Sequence, residues 1–211
     1  MQLLLLLCLA AQDQSAEAKK LLNALAPPLK DPAHSQIEWT IGSRTAVGYF
    51  ERQKAWRLDT KSGDVEMVFL WDGKSFLNYM KRSNRFFNSP KEPVTMLLIE
   101  GGGLAEIHYS GNADRLLKDA KQVTVKKEKL DEVDCSHVVI TPKDLQGSTD
   151  VELHFWIADG ACKRFSYKSK PNGKPNERTY TYKVVDPPSV TEETFAFKPP
   201  ADAKDMRAGN K

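Results

Sequence analysis

The strongest constraint on the fold is an apolar side chain at every second position of a short segment. Val65–Trp71 alternates in this way, and Asp72-Gly73 follows it directly. Alternation with a period of two sends successive side chains to opposite faces of a β-strand, and Asp-Gly is a typical hairpin turn. Phe76–Met80 then returns as the partner strand. The segment therefore predicts an antiparallel hairpin.

The same period recurs along most of the chain at hairpin spacing, which predicts an antiparallel meander. The further predicted strands are Gln36–Ile41, Thr45–Glu51, Ala55–Thr60, Gln122–Lys129, Asp134–Thr141, Val151–Ile157, Lys163–Lys168, Thr179–Val185 and Thr194–Lys198. In the last of these, Phe195 and Phe197 lie two residues apart and would share one face. Pro199-Pro200 has no N–H groups to donate, so pairing should end there.

Short helices interrupt the strands. Lys19–Leu25 has a helical pattern, and Lys91–Glu100 is predicted to be a helix that ends at the three glycines 101–103. Asn112 can cap a further helix over Ala113–Lys121. We therefore expect an α+β fold: a strongly curved antiparallel sheet of about ten strands, forming an open half-barrel, with short helices over its concave face.

The N-terminus has the features of an export signal. Leu3–Ala11 is apolar but too short to span a bilayer, and it ends in small residues that suit signal peptidase, before a polar segment. We expect residues 1–18 to hold a signal peptide cut after Ala10, Ala11 or Ala18, with 19–211 as a single domain. A basic segment before the leucines is missing, so a buried first helix is the alternative.

Composition and motifs argue against several classes of function. With 31 Lys+Arg against 28 Asp+Glu, the net charge of +3 is too small to indicate nucleic-acid binding. The four histidines lie in no catalytic motif. A metal site built from Cys135, His137, His154 and Cys162 would have spacing unlike a zinc knuckle. We therefore expect no catalytic residues, no metal and no cofactor.

Two cysteines, Cys135 and Cys162, would remain after export, in a compartment that permits a disulfide. In a simple meander they lie on strands two spacings apart, about 9–10 Å, whereas a bridge needs less than roughly 7 Å. A bulge beside Asp159-Gly160 could close that gap. Bridged and free states both stay open.

Aromatic and aliphatic residues on the strands and the helical insertion are the candidates for lining an apolar ligand cavity. The alternative for each is an ordinary core position. The insertion favours a cavity, because it is apolar all round and ends at flexible glycines. The candidates are Trp56, Met67, Phe69, Trp71, Phe76, Met96, Leu97, Leu98, Phe155 and Phe165.

Four segments carry a family resemblance: Tyr49–Leu58, Leu70–Tyr79, Asp134–Val138 with Val151–Gly160, and Phe195–Met206. Through them the chain resembles the outer-membrane lipoprotein carrier superfamily, and more closely an uncharacterised family of predicted periplasmic proteins related to those carriers. The resemblance implies a half-barrel whose cavity holds acyl chains. It also implies that Arg52 latches a helical lid by hydrogen bonds to backbone carbonyls, although Gln53 stands where the carriers have proline.

Together these expectations describe a periplasmic, non-enzymatic binding protein for an acyl chain, lipid or lipoprotein. Its partners would be a lipid or acylated protein, and donor or acceptor proteins in a membrane, with no nucleic acid and with the chain as a monomer. The alternative is a structural or protein-interaction domain of the same fold, whose core is filled by its own side chains.

Overall fold

The computed structural model describes residues 2–26, 33–118, 120–143, 150–170 and 174–207. They hold three α-helices: α1 (Gln2–Asn23), α2 (Val94–Ser110) and α3 (Asp114–Lys118). They also hold twelve strands: β1 (His34–Ile41), β2 (Arg44–Glu51), β3 (Ala55–Ser62), β4 (Val65–Trp71), β5 (Phe76–Met80), β6 (Arg85–Ser89), β7 (Ala120–Leu130), β8 (Val133–Pro142), β9 (Glu152–Ala158), β10 (Ala161–Ser169), β11 (Asn176–Val185) and β12 (Lys204–Asp205).

The chain forms two compact units. Unit 1 is Met1–Pro27 with Gly102–Thr181, and unit 2 is Pro28–Gly101 with Tyr182–Lys211. Both are built mainly from antiparallel strands in an open arrangement, with few helices. This confirms the predicted antiparallel meander in its main features, with twelve strands where about ten were expected.

In unit 2 the strands follow the order β12-β6-β5-β4-β3-β2-β1. Every pair is antiparallel except β12 with β6, which is parallel. Cross-strand pairing puts Phe50, Trp56 and Trp71 in one row, with Gly48, Leu58 and Phe69 in the next. Paired residues share a face. This face carries the core of unit 2, because most of its large apolar side chains are buried.

In unit 1 the order is β11-β10-β9-β8-β7. Its core row pairs Val138, Phe155, Phe165 and Tyr180 across four strands, and all four side chains are fully buried. Helix α1 contributes Leu22, which is also fully buried. The helix is therefore part of this core and not a detached segment.

Polar contacts tie α1 to α3. Lys19 forms an ion pair of 2.7 Å with Asp114, and the side-chain oxygen of Asn23 accepts a hydrogen bond of 2.8 Å from the Ala113 N–H. The Asn112 side chain accepts from the Asp114 N–H, as its predicted capping role requires. However, α3 ends at Lys118 and β7 begins at Ala120, so the predicted helix over Ala113–Lys121 is too long.

Helix α2 begins three residues later than predicted and continues beyond the glycines. It is interrupted at Gly102, where φ is 73° and ψ is −179°. Gly103 is needed for a different reason, because a Cβ there would lie 2.3 Å from Cζ of Phe155. The predicted end of the helix at glycines 101–103 agrees with this break at Gly102, and a second helical stretch then follows as far as Ser110.

The predicted last strand is also wrong. Glu192–Phe195 is a 3-10 helix, entered through a capping box in which Thr194 Oγ1 accepts from the Thr191 N–H at 3.0 Å. Phe197 packs on Tyr79 at 5.8 Å, with the Arg57 guanidinium 5.1 Å from its ring. The chain pairs again only at β12, beside β6. Both of these strands were missed in the sequence.

The N-terminal helix bears on the export prediction. Helix α1 extends the predicted segment Lys19–Leu25 back to Gln2. Among the described residues no helix is long and apolar enough to cross a membrane.

Candidate functional site

Five of the predicted lining residues share one face of the unit 2 sheet. Trp56 pairs with Trp71, which pairs with Phe76, while Phe69 and Met67 follow along β4. The rings of Trp56 and Phe76 lie 5.9 Å apart. We call these five residues the aromatic face. Trp56, Phe69 and Phe76 are buried, whereas Met67 and Trp71 remain partly exposed.

The aromatic face also contains polar atoms without partners. Trp56 is 0 % exposed, and among the described residues no acceptor reaches its indole Nε1–H. Asn78, opposite Phe69 on β5, likewise has a buried side-chain oxygen with no donor. A buried donor left unpaired costs about 1–3 kcal/mol. Such atoms are where a bound molecule or an ordered water would gain a hydrogen bond.

The first part of α2, residues 94–101, belongs to the same unit. Leu97 and Leu98 are buried, and Met96 is partly exposed. Together with the aromatic face they account for eight of the ten predicted lining residues. Apolar strand and helix positions of the kind predicted from sequence therefore belong to one unit, and their role in lining a cavity stays a prediction.

Three side chains anchor the end of this helical segment. The Trp39 Nε1–H donates to the Glu100 carbonyl at 3.2 Å, and the Tyr182 hydroxyl donates to the Gly101 carbonyl at 3.1 Å. Arg44 forms an ion pair of 2.6 Å with the Glu100 carboxylate. Carbonyls near a helix break lack partners within the helix, so these contacts hold the segment at its end. We call them the end anchors.

Arg52 has a latch role only by the resemblance, and that role stays a prediction. Its backbone N–H donates to the Ala33 carbonyl at 2.8 Å, while its side-chain Nε is buried without an acceptor among the described residues. Gln53 next to it has a φ of 55°, so the chain turns here. The contacts expected of Arg52 are made by the end anchors, which come from β1, β2 and β11.

The other two predicted lining residues, Phe155 and Phe165, lie in unit 1. Their rings are 4.8 Å apart, and both lie against Gly103. They are fully buried. Their surroundings are those of a closely packed core.

Cys135 and Cys162 are free thiols, so the disulfide considered from the sequence is absent. Cys162 pairs with Ile157, which pairs with Ser136 beside Cys135. The cysteines therefore lie two strands apart on opposite faces, too far for a bridge. Burial raises the pKa of the Cys162 thiol to about 12, and burial also raises that of Cys135. Both remain protonated and unreactive near neutral pH.

A polar cluster that the sequence did not predict lies on the unit 1 face opposite the core row. His137 stacks on Trp156 at 4.3 Å with an angle of 9° between the rings, and its Nε2 lies 2.9 Å from Nδ1 of His154. Each histidine meets a carboxylate with its other nitrogen, Glu128 at 3.1 Å and Glu152 at 3.0 Å. We call these five residues the histidine cluster.

The cluster perturbs its own titration. Burial lowers the pKa of His154, and Lys168 adds to this, whereas Glu152 opposes it. The Trp156 N–H donates to Glu128 and is the main cause of a lowered pKa for that carboxyl. Among the described residues no group of three or more histidine, cysteine and acidic side chains is arranged to hold a metal ion.

The signal for this cluster was present in the sequence as two short motifs, Cys-x-His and Trp-Ile-x-x-Gly. Pairing of β8 with β9 places His137 directly opposite Trp156. Only that register shows that the two motifs form one site, and hairpin spacing alone does not fix it.

Two grooves accompany these features. One, of about 640 Å³, lies on the unit 2 face that carries Val47, Arg57, Val68 and Tyr79, beside Phe197. The other, of about 720 Å³, lies in unit 1 between α1 and strands β7 to β9. Of the predicted lining residues, Met67 borders the first groove.

Comparison with known families now identifies the chain. The family described as "Predicted periplasmic protein (DUF2092)" matches residues 49–207. The chain belongs to this family. The predicted kinship with an uncharacterised periplasmic family is therefore confirmed, while the lipoprotein carriers themselves are not named by the match. A search of the curated proteins gave no match.

Three solved structures extend the comparison. An uncharacterised conserved protein from Thermus thermophilus is 17% identical, with a TM-score of 0.53 over 93% of this chain and 98% of that one. A DUF1329 family protein from Desulfovibrio piger is 10% identical, with a TM-score of 0.43 over 88% and 95%. The MucA/MucB complex of Pseudomonas aeruginosa gives 10% identity and a TM-score of 0.37 over 86% and 61%. The first shows a shared fold.

Proposed function

We propose that this DUF2092 family member is an exported, non-enzymatic binding protein that holds an acyl chain, as part of a lipid or lipoprotein, against the aromatic face of unit 2. One observation carries the proposal: the fully buried indole N–H of Trp56 has no acceptor among the described residues. An apolar surface that retains an unused hydrogen-bond donor suits a ligand with a hydrocarbon chain and an oxygen atom near it.

The chemistry of the face fits such a ligand. Each methylene group that leaves water for an apolar site gains about 0.8 kcal/mol, so even a medium-length chain could offset the cost of moving a short helical cover. Met67 and Met96, both partly exposed, are flexible side chains that adapt to irregular apolar ligands. The carbonyl or carboxyl oxygen of an acyl group would satisfy the Trp56 N–H.

Entry of the ligand would require residues 94–101 to move away from the aromatic face. The end anchors oppose this movement, and the break at Gly102 gives the backbone a point at which helical hydrogen bonding is already interrupted. Residues 94–101 would then act as a lid, as the resemblance to the half-barrel carriers also implies. The proposal has two further parts. The sheet would be curved, and the protein would exchange its ligand with donor and acceptor proteins at a membrane.

One observation favours the alternative, a structural or interaction domain with a filled core. Seven of the ten predicted lining residues are buried: Trp56, Phe69, Phe76, Leu97, Leu98, Phe155 and Phe165. A ligand therefore has to displace contacts that the protein already makes with itself. The two proposals differ in whether anything occupies the aromatic face in the cell.

Native mass spectrometry of protein purified from its own periplasm tests the proposal directly. We expect a co-purifying species with the mass of a lipid or an acylated molecule, in about one copy per chain, which organic extraction releases. Protein that is uniformly free of ligand, and that takes up no fluorescent fatty acid after extraction, would leave the filled-core alternative.

A matched pair of variants locates the ligand. Trp56→Phe keeps an aromatic ring but removes the unpaired N–H, so we expect weaker binding of a fatty acid with little change in that of an alkane of equal length. Trp71→Phe on the neighbouring strand is the control, because no unpaired polar atom is described there. Equal losses of fatty-acid affinity in both variants would argue that Trp56 contributes only through its apolar surface area.

A further inference from the structure

The groove of about 640 Å³ in unit 2 lies between the sheet and the end of the chain. Residues 189–206, which we call the C-terminal segment, contact the sheet face opposite the aromatic face. The Arg57 guanidinium donates to the Thr194 carbonyl at 3.1 Å, and it lies 5.1 Å from the centre of the Phe197 ring. Phe197 also packs on Tyr79, with 5.8 Å between the ring centres. The segment is therefore held in place, and it forms one wall of the groove.

The floor of the groove is mainly apolar. Sheet pairing puts Val47, Val68 and Tyr79 in one row of the face, and both valines are partly exposed. Asp59 lies between the valines and accepts two hydrogen bonds from Arg57, at 2.8 and 2.9 Å, so its charge is balanced within the protein. The volume of the groove is in the range that small molecules occupy. The floor therefore offers apolar surface to a ligand of that size.

The rim of the groove carries an excess of positive charge. Lys61 and Lys81 share a single carboxylate, that of Glu66, at 3.5 and 2.6 Å. The pKa of Glu66 is lowered, first by the hydrogen bond from Lys81 and further by Lys61, as expected in positive surroundings. Lys198 on the C-terminal segment forms no ion pair with another residue of the described ranges. Four basic and two acidic side chains line the groove, which leaves two positive charges without a partner.

Floor and rim together select the chemistry of the ligand. A hydrocarbon chain that lies on the two valines leaves water, which stabilises the complex. A negatively charged head group at the rim would meet lysines whose charge the protein does not balance, and lysine binds carboxylate and phosphate as a point charge. A flat membrane surface could reach the lysines but not the recessed floor. The groove therefore suits a small molecule that carries both groups.

We propose that this groove is a second binding site of unit 2, for a small dissolved amphiphile that joins a short hydrocarbon chain to an anionic head group. The chain lies across Val47 and Val68, beside the Phe197 wall, and the head group lies among the lysines of the rim. The groove is open without movement of residues 94–101. The site lies on the face opposite the aromatic face, so it does not depend on the function proposed above.

The test is an NMR titration of the full chain, labelled at its valine methyl groups, with octyl phosphate below its micelle concentration. We expect the methyl signals of Val47 and Val68 to shift along a saturation curve, and added salt to weaken the binding. Octyl glucoside and octylammonium, which have the same chain without the negative charge, should bind more weakly. The indole N–H signal of Trp56 reports separately on the aromatic face, so the failure of one site is distinguishable from that of the other.

Three results would overturn the proposal. The first is that the signals of the two valines do not move, whatever happens at Trp56. The second is an affinity for octyl glucoside or octylammonium equal to that for octyl phosphate. The third is binding to vesicles of phosphatidylglycerol without binding of octyl phosphate, which would make the lysines a membrane-contact surface.

Variants assign the two parts of the ligand to the two parts of the groove. Lys198→Gln removes one charge from the rim without breaking an ion pair among the described residues, so we expect the affinity for octyl phosphate to fall about two- to fivefold. Its affinity for octyl glucoside should not change. Lys74→Gln is the matched control, because Lys74 lies in the exposed turn after β4 and does not line the groove.

Val68→Thr keeps the β-branched shape of the floor but replaces a methyl group with a hydroxyl. It should weaken octyl phosphate and octyl glucoside by the same factor, because both place the same chain on the floor. An unchanged affinity for octyl phosphate in Lys198→Gln, or an equal loss in Lys74→Gln, would contradict the assigned position of the head group.

Discussion

The two units cover their apolar strand faces in different ways. In unit 1 the core row lies against Gly103, so closely that even one added methyl group would collide with Phe155. In unit 2 the aromatic face shares its unit with residues 94–101, whose end is held by three polar contacts. Tight packing has one arrangement, whereas polar anchors can break and form again. Similar strand patterns thus accompany one tightly packed core and one helical segment whose end is held by polar contacts.

The largest expected effect comes from breaking the fixed core. Gly103→Ala would put a Cβ 2.3 Å from Phe155 and 2.9 Å from Phe165, both fully buried. Overpacking of this kind costs about 1–3 kcal/mol. We expect the free energy of unfolding in urea to fall by that amount. The double variant Gly103→Ala with Phe155→Leu should recover part of this lost stability, because the smaller leucine makes room for the added methyl group. If the single variant loses no stability, the core of unit 1 can rearrange at little cost.

If residues 94–101 act as the proposed lid, loosening their end anchors should have a smaller effect on stability and a visible effect on binding. Tyr182→Phe keeps the ring but removes the hydrogen bond to the Gly101 carbonyl, which contributes about 0.5–1.5 kcal/mol. We expect faster uptake of a fluorescent fatty acid in stopped-flow measurements, because opening costs less.

The matched control for that variant is Tyr79→Phe. It removes a similar hydrogen bond, of 3.0 Å from the Tyr79 hydroxyl to Asn84, that does not involve residues 94–101. Its uptake rate should equal that of the unaltered protein. If the two variants behave alike, the end anchors do not control access to the aromatic face.

The sequence predicts the strands well where alternation is clear and fails where side chains interact locally. Val65–Trp71 is a strand with the predicted bounds: neighbouring strands bury Phe69 and Leu70 near its end, and Asp72-Gly73 turns the chain. Phe195 and Phe197 have strand spacing too, but the hydrogen bond between Thr191 and Thr194 favours a helical turn. A period of two cannot distinguish these cases, since it records burial and not local hydrogen bonding.

The candidate site shows the same division. Eight of the predicted lining residues lie in unit 2, and the sequence placed them correctly on neighbouring strands and one helix because they are apolar residues with clear spacing. The end anchors and the histidine cluster were not, because each depends on which residues of distant strands become neighbours. Trp39 reaches Glu100 across 61 residues of chain. Register of this kind is fixed by the packed structure and not by any one segment.

The two units also differ in the histidines that they contain. His34 is the one histidine within the sequence of unit 2, whereas His154 in unit 1 has a pKa lowered by burial. The unfolded chain then binds more protons than the folded chain once the pH falls below about 6.5, so the free energy of unfolding decreases from there down through the folded pKa.

Calorimetry at a series of pH values measures this effect. In His154→Asn the decrease that begins near neutral pH should become smaller, while the separate loss at lower pH, where carboxylates such as Glu128 are protonated, remains. A slope that is unchanged in His154→Asn would show that the histidine cluster does not couple to folding.

The smallest expected effect concerns the start of the mature chain. Residues 18 to 25 are built into unit 1, with Ala18 and Leu22 fully buried and Lys19 paired with Asp114. A cut after Ala18 would remove one buried methyl group and leave a free amino terminus in the helix, at a cost of about 1 kcal/mol. A cut after Ala10 or Ala11 keeps the whole buried stripe. We therefore expect N-terminal sequencing of the periplasmic protein to begin at Ala11 or Gln12, and a form that begins at Lys19 to unfold at slightly lower urea concentration. A natural terminus at Lys19 with no such difference would mean that the first turns of α1 contribute nothing to unit 1.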